Sequence, residues 1–134
     1  MKQYVIDACA LIAFLNDEKG ADKIESILSN QTNLCLMSII NIFEVCYDAA
    51  KISGIDEAIK LYEEIKQLPI IIDCKIEENL LKEAIYFKTK YRISVADSIA
   101  LSLAKVNNAI IITSDHHEFD CIDKAKEIDF YWFR

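Results

Sequence analysis

Short apolar runs alternate with longer stretches of helical periodicity along this chain. The runs predict strands over 3–6, 34–37, 70–72, 109–113 and 130–133. The stretches between them predict helices over 10–15, 21–29, 39–52, 56–67, 77–91 and 95–106. Ser53-Gly54 divides the third helix from the fourth. Pro69 separates the fourth helix from the third strand, since proline cannot continue a helix. Asn107-Asn108 supplies a stop before the fourth strand. Ile110, Ile111 and Ile112 follow one another without alternation, as in a strand covered on both faces. Alternating β and α elements imply an α/β fold with a parallel sheet and helices on both sides. In the third helix, Ile40, Phe43 and Tyr47 are expected to form the apolar side. The third and fourth helices are expected to pack on the sheet, with a partner protein as the other candidate.

Composition narrows this picture. At 134 residues the chain reads as one domain spanning 1–134, long enough to bury a core. It contains two Gly and one Pro, which favours long elements and short connections. No apolar run approaches the roughly 18 residues needed to span a membrane. The amino terminus reaches Asp7 too early for a signal peptide, so a cytoplasmic location is expected. Cys9, Cys35, Cys46, Cys74 and Cys121 show no C-x-x-C spacing, so they read as small hydrophobes in a reducing compartment. The net charge of −7 argues against broad, nonspecific nucleic-acid binding. It leaves open an acidic metal site beside a local basic strip, because bound cations invert the local field.

Four acids stand out against apolar surroundings: Asp7, Glu44, Asp97 and Asp115. A buried charge is expensive unless it is paired, hydrogen-bonded or bound to metal. Asp7 and Asp115 fall at strand carboxyl ends, where sites form at the switch in strand order of an open parallel sheet. If the fold gathers the four, their repulsion calls for a cation, and an all-oxygen donor set selects Mg²⁺ or Mn²⁺. Each acid also has a purely structural explanation. Asp7 is a natural N-cap for the first helix. Glu44 reads as a surface glutamate within reach of Lys51. Asp97 follows Ser94 by three, and Asp115 precedes Glu118 by three, both potential capping arrangements. His116 and His117 have no third ligand for zinc and read as exposed loop histidines. Glu118 and Asp120 have no equally clear placement.

Together these segments resemble the PIN-domain family. Val5-Ile6-Asp7-Ala8-Cys9-Ala10-Leu11-Ile12 is similar to its opening, and Ile39-Ile40-Asn41-Ile42-Phe43-Glu44-Val45 to its second acidic motif. The stretch from Ser94 to Ala104 around Asp97 is similar to the third, and Ile111-Ile112-Thr113-Ser114-Asp115 to the fourth. The closing Phe130-Tyr131-Trp132-Phe133-Arg134 fits a terminal strand. The resemblance implies a three-layer α/β/α sandwich around a five-stranded parallel sheet. It also implies a metal-dependent endoribonuclease, often the toxin of a VapBC toxin–antitoxin pair, leaving 5′-phosphate and 3′-hydroxyl ends. Asp7, Glu44, Asp97 and Asp115 would then be the catalytic and metal-binding quartet. Cys9 departs from the hydroxyl or amide residue common in the family. Thr113 or Ser114 offers a hydroxyl in its place.

Under this reading Asp7 and Asp97 ligate Mg²⁺ or Mn²⁺ directly, Asp115 ligates or orients a bound water, and Glu44 acts through water or a second ion. Lys88, Lys90 and Arg92, interleaved with Tyr86, Phe87 and Tyr91, are candidates for phosphate contact and base stacking on single-stranded RNA. The plain alternative is a solvated last turn whose cations favour the helix dipole. The expected partner is an RNA substrate, with a small antitoxin protein and a second copy of the chain left open. The rival function is a noncatalytic RNA- or protein-binding module on the same scaffold. A haloacid-type phosphohydrolase is disfavoured because Cys9 stands where it needs a second acid, and a receiver-like domain fits Glu44 and Asp97 poorly.

Overall fold

The apolar runs become strands and the periodic stretches become helices in the computed structural model, which describes residues 2–134. In chain order the elements are β1 (Gln3–Ile6), α1 (Ala8–Leu15), α2 (Ala21–Ser29), β2 (Leu34–Ser38), α3 (Ile39–Ser53), α4 (Ile55–Ile65), β3 (Ile71–Asp73), α5 (Glu78–Lys90), α6 (Val95–Asn107), β4 (Ile110–Thr113), α7 (His116–Ala125) and β5 (Asp129–Trp132). The sheet is parallel throughout, in the order β3-β2-β1-β4-β5. Strand order therefore reverses at β1, which lies between β2 and β4. The crevice beyond the carboxyl ends of β1 and β4 is the switch point at which open α/β sheets bind ligands.

Side-chain alternation divides the core between the two faces. Val5 pairs with Leu36 and with Ile111, and all three face a layer built from α5, α6 and α7. Tyr4, Ile6, Met37 and Ile112 face the opposite layer, where α1 to α4 contribute Leu11, Ile24, Ile42 and Ile65. The result is the expected α/β/α sandwich. Among the described residues, no helix is long and apolar enough to cross a membrane.

Local chemistry fixes the element ends. Asp7 Oδ1 accepts from the Ala8 N–H at 2.9 Å, so α1 begins at Ala8, two residues before the predicted start. Ser38 caps α3 by accepting from the Ile40 N–H at 3.1 Å. Gly54, at φ +92°, turns the chain between α3 and α4 in a conformation that side chains disfavour. Gly20 is needed for space as well as for its φ of +92°, because a Cβ there would collide with the Phe133 carbonyl oxygen.

Two expectations are corrected. The sequence pattern predicts no helix after the fourth strand, yet α7 forms there, and His116 and His117 begin this helix instead of lying in a loop. Its sequence is mostly polar and only Phe119 and Ile122 are buried, one helical turn apart. The apolar side expected for α3 is also wrong. Asn41, Ile42 and Val45 are buried, whereas Phe43 and Tyr47 are exposed, with their rings stacked 5.9 Å apart. The buried stripe is selected by contact with the sheet and α6, which the periodicity of α3 alone does not reveal.

Candidate active site

Asp7 leaves the carboxyl end of β1 and is only 3% exposed. Thr113 Oγ1, at the end of β4, donates to Asp7 Oδ2 at 2.9 Å. Cys9 Sγ also donates to Oδ2, at the longer 3.3 Å expected of a weak thiol donor. The hydroxyl that the first motif lacks is thus supplied from β4. Burial raises the Asp7 pKa above the ordinary carboxylate value against the lowering effect of these bonds, and the charge of Asp115 raises it further. The Cys9 thiol is pushed up to about 12, first by burial and then by Asp7, so it stays protonated.

Asp97 projects from the first turn of α6. Its backbone N–H donates to Ser94 Oγ at 3.0 Å, which realises the expected cap and fixes the helix start. Its carboxyl is pushed up to about 7, chiefly by burial and then by Asp7, with smaller contributions from Asp115 and Glu44. Asp115 is the N-cap of α7, accepting from the Glu118 N–H at 3.2 Å, while its own N–H donates to Thr113 Oγ1 at 3.0 Å. Glu44 is half-buried and does not pair with Lys51, which instead meets Asp48 at 3.2 Å. Asn41 Nδ2 donates to Glu44 Oε1 at 3.3 Å. Burial raises the Glu44 pKa, with Asp7 adding to the effect. The four acids from four separate segments therefore share one electrostatic field at the switch point.

A cavity of about 620 Å³ opens beside Asp97, lined by Lys88, Lys90, Tyr91, Arg92, Ser94 and Glu118 among others. The basic strip of α5 thus borders the acidic crevice. Its members differ in availability. Lys88 Nζ donates to the Ile93 carbonyl at 2.8 Å. Lys90 is held by Glu127 at 3.3 Å and by the Tyr86 hydroxyl at 3.0 Å, and both Tyr86 and Tyr91 donate to Glu127. Arg92 is exposed, with no side-chain hydrogen bond or ion pair among the described residues. Phe87 is fully buried, so it packs in the core and is not offered for base stacking.

The family model of the PIN domain matches residues 4–125. The chain belongs to the PIN domain family. Solved structures with this fold include VapBC-1 from nontypeable Haemophilus influenzae, at 19% identity over 98% of both chains and a TM-score of 0.74. DNA-bound VapBC from Salmonella typhimurium matches over 100% of both chains at 14% identity and a TM-score of 0.73. VapC20 of Mycobacterium tuberculosis, described as a sarcin-ricin loop cleaving toxin, matches at 10% identity over 81% of this chain and 86% of its own, with a TM-score of 0.62. At these identities the likeness establishes the fold. No curated protein matches the sequence.

The PIN domain site suits a hydrated cation better than a fully chelated one. Among the described residues, no three His, Cys, Asp or Glu side chains lie close enough together to hold an ion. Direct ligation by the expected pair, Asp7 and Asp97, calls for only two side chains, with water filling the remaining positions. The donors are carboxylate oxygens under mutual repulsion, a set that fits Mg²⁺, which keeps several waters and takes few protein ligands. His116 is excluded from this set: its Nδ1 meets Asp120 at 2.9 Å, its Nε2 meets the Arg134 carbonyl at 3.0 Å, and its ring stacks on Trp132. Sequence reasoning missed Asn41 as a partner of Glu44 and Glu127 as the anchor of Lys90. The i,i+3 spacing of Asn41 and Glu44 on one helix was the available signal for the first. The second joins residues 37 positions apart and left no local signal.

Proposed function

We propose that this PIN domain is a Mg²⁺- or Mn²⁺-dependent endoribonuclease, the toxin of a VapBC-type toxin–antitoxin pair. The observation that carries the reading is that, besides burial, Asp7, Asp115 and Glu44 each raise the pKa of Asp97, at the switch-point end of the sheet. Asp7 and Asp97 would hold the ion directly, with Asp115 and Glu44 acting through its bound waters. When bound, the ion would polarise the phosphoryl oxygen and lower the pKa of an attacking water. Thr113 orients Asp7 by donating to Oδ2 and fixes the Asp115 backbone through the same oxygen. Burial, and then the charge of Asp7, push the Asp97 carboxyl up to about 7. Lys88 and Arg92 in the adjoining cavity would bind flanking phosphates of single-stranded RNA.

The antitoxin assignment draws support from the VapBC names of the structural neighbours and from the surface of α3 and α4. Phe43, Tyr47, Ile52, Ile55 and Ile59 are all exposed there, an apolar area that a partner segment would cover. Five free thiols fit action in the reducing cytoplasm.

The test is cleavage of RNA by purified chain, freed of any partner, with Mg²⁺ or Mn²⁺ and with a chelator. Cleavage that needs metal and is lost in Asp7→Asn is the expected result. The separation of the acids favours a second reading, a noncatalytic binding module. That module would bind RNA or protein and remain inert with both ions.

A further inference from the structure

Asn41 is fully buried in α3, among apolar neighbours such as Ile42 and Val45. Its Nδ2 makes two bonds, to Glu44 Oε1 at 3.3 Å and to the Ala96 carbonyl oxygen at 3.2 Å. Both partners only accept, so the amide orientation is determined: a flipped group would set its own oxygen against two acceptors. The cost of this orientation is visible in Oδ1, which is buried with no hydrogen-bond partner. Losing solvent without gaining a donor is unfavourable, and an apolar side chain of similar volume would avoid it. Packing alone therefore does not explain an amide at this position. The two bonds do: they tie the Glu44 carboxylate on α3 to the first turn of α6, one residue from Asp97.

We infer that Asn41 is a positioning residue, which holds the Glu44 carboxylate toward the Asp97 end of α6 and so sets the affinity of the site for a divalent cation. This rests on the metal-dependent reading of the site. Asn41 has no role in contact with substrate; it acts through Glu44. Its amide is neutral, so it orders the carboxylate without cancelling the negative charge that attracts the ion. A lysine in the same place would oppose that attraction.

The experiment compares the parent chain with Asn41→Leu, which keeps the approximate volume and removes both donors. Mn²⁺ binding is followed by calorimetry and electron paramagnetic resonance, and the melting temperature is measured without metal. Asn41→Leu is expected to bind Mn²⁺ about tenfold more weakly, as for other residues that orient ligands. Its metal-free melting temperature should equal or exceed the parent value because the orphaned oxygen is gone. In cleavage assays the Mn²⁺ concentration for half-maximal rate should rise about tenfold, with the saturating rate within about twofold of the parent. Should leucine prevent folding, Asn41→Ala removes the same donors in a smaller side chain, and its Mn²⁺ affinity decides the question. Unchanged Mn²⁺ affinity in a folded variant overturns the inference while leaving the nuclease reading intact. A parent chain that binds no Mn²⁺ overturns both.

Discussion

Thr113 Oγ1 donates to Asp7 Oδ2 at 2.9 Å and accepts from the Asp115 N–H at 3.0 Å, so one buried hydroxyl joins the carboxyl ends of β1 and β4. Thr113→Val keeps the shape and removes both bonds, leaving a buried carboxylate and a backbone donor without their partner. The expected loss of stability is about 1–3 kcal/mol. Thr113→Ser should recover most of it. Denaturant titrations of the three proteins check this, and a valine variant as stable as the parent would show that the hydroxyl is dispensable.

Stability of the metal-free chain should fall as pH rises toward neutrality. Asp97 is pushed up to about 7, first by burial and then by Asp7, and burial also raises Asp7 and Glu44. With folded-state pKa values above those of the unfolded chain, the native state binds more protons in the intervening window. Stability then decreases with rising pH from the ordinary carboxylate range through about 7. Apparent affinity for a divalent cation should rise over the same window. Chemical denaturation in chelator at pH values on either side of it tests the first statement. A flat profile would mean that the acids are not coupled as their surroundings require.

Asp97→Asn should separate the fold from the activity. The cap that starts α6 uses the Asp97 backbone N–H on Ser94 Oγ, so it survives the substitution. What disappears is a partly buried charge repelled by Asp7, Asp115 and Glu44. Removing that repulsion should stabilise the metal-free chain by about 0.5–2 kcal/mol while RNA cleavage is lost. A lower melting temperature for the asparagine variant would assign the side chain a capping role instead.

The sequence displays the site more readily than it displays the supports of that site. Asp7 and Asp115 are legible because a charge ending an apolar run marks a strand end, and the alternation of elements marks a parallel sheet. The caps at Ser94 and Asp115 are legible because capping is a matter of spacing within one turn. α7 is hidden because only two of its residues are buried. The misread side of α3 has a different cause. Aromatic residues at Phe43 and Tyr47 suggest a core face, yet the face that meets α6 carries Asn41, whose reason lies 55 positions away at Ala96. Long-range pairing of this kind leaves no periodic trace.

The basic strip should divide into residues that serve RNA and one that serves the fold. Nonspecific RNA affinity depends on cations that neutralise phosphates, and each lost contact lowers the salt slope by roughly one unit at most. Arg92 has all its donors available, and Lys88 keeps two N–H groups beyond the one given to Ile93. Arg92→Ala and Lys88→Ala should each weaken RNA binding several-fold at low salt and flatten its salt dependence. Lys90 is already engaged by Glu127, whose partial burial would raise its pKa but for the bonds from Tyr86, Tyr91 and Lys90 that lower it. Lys90→Ala should therefore change RNA affinity least, while loosening the link between α5 and the turn before β5. Fluorescence anisotropy with labelled single-stranded RNA, in an Asp7→Asn background that does not cut it, measures all three at several salt concentrations. Equal, negligible effects would return the whole strip to a solvated helix end. A dominant effect of Lys90→Ala would mean that RNA displaces Glu127, and the cluster would then belong to the binding surface.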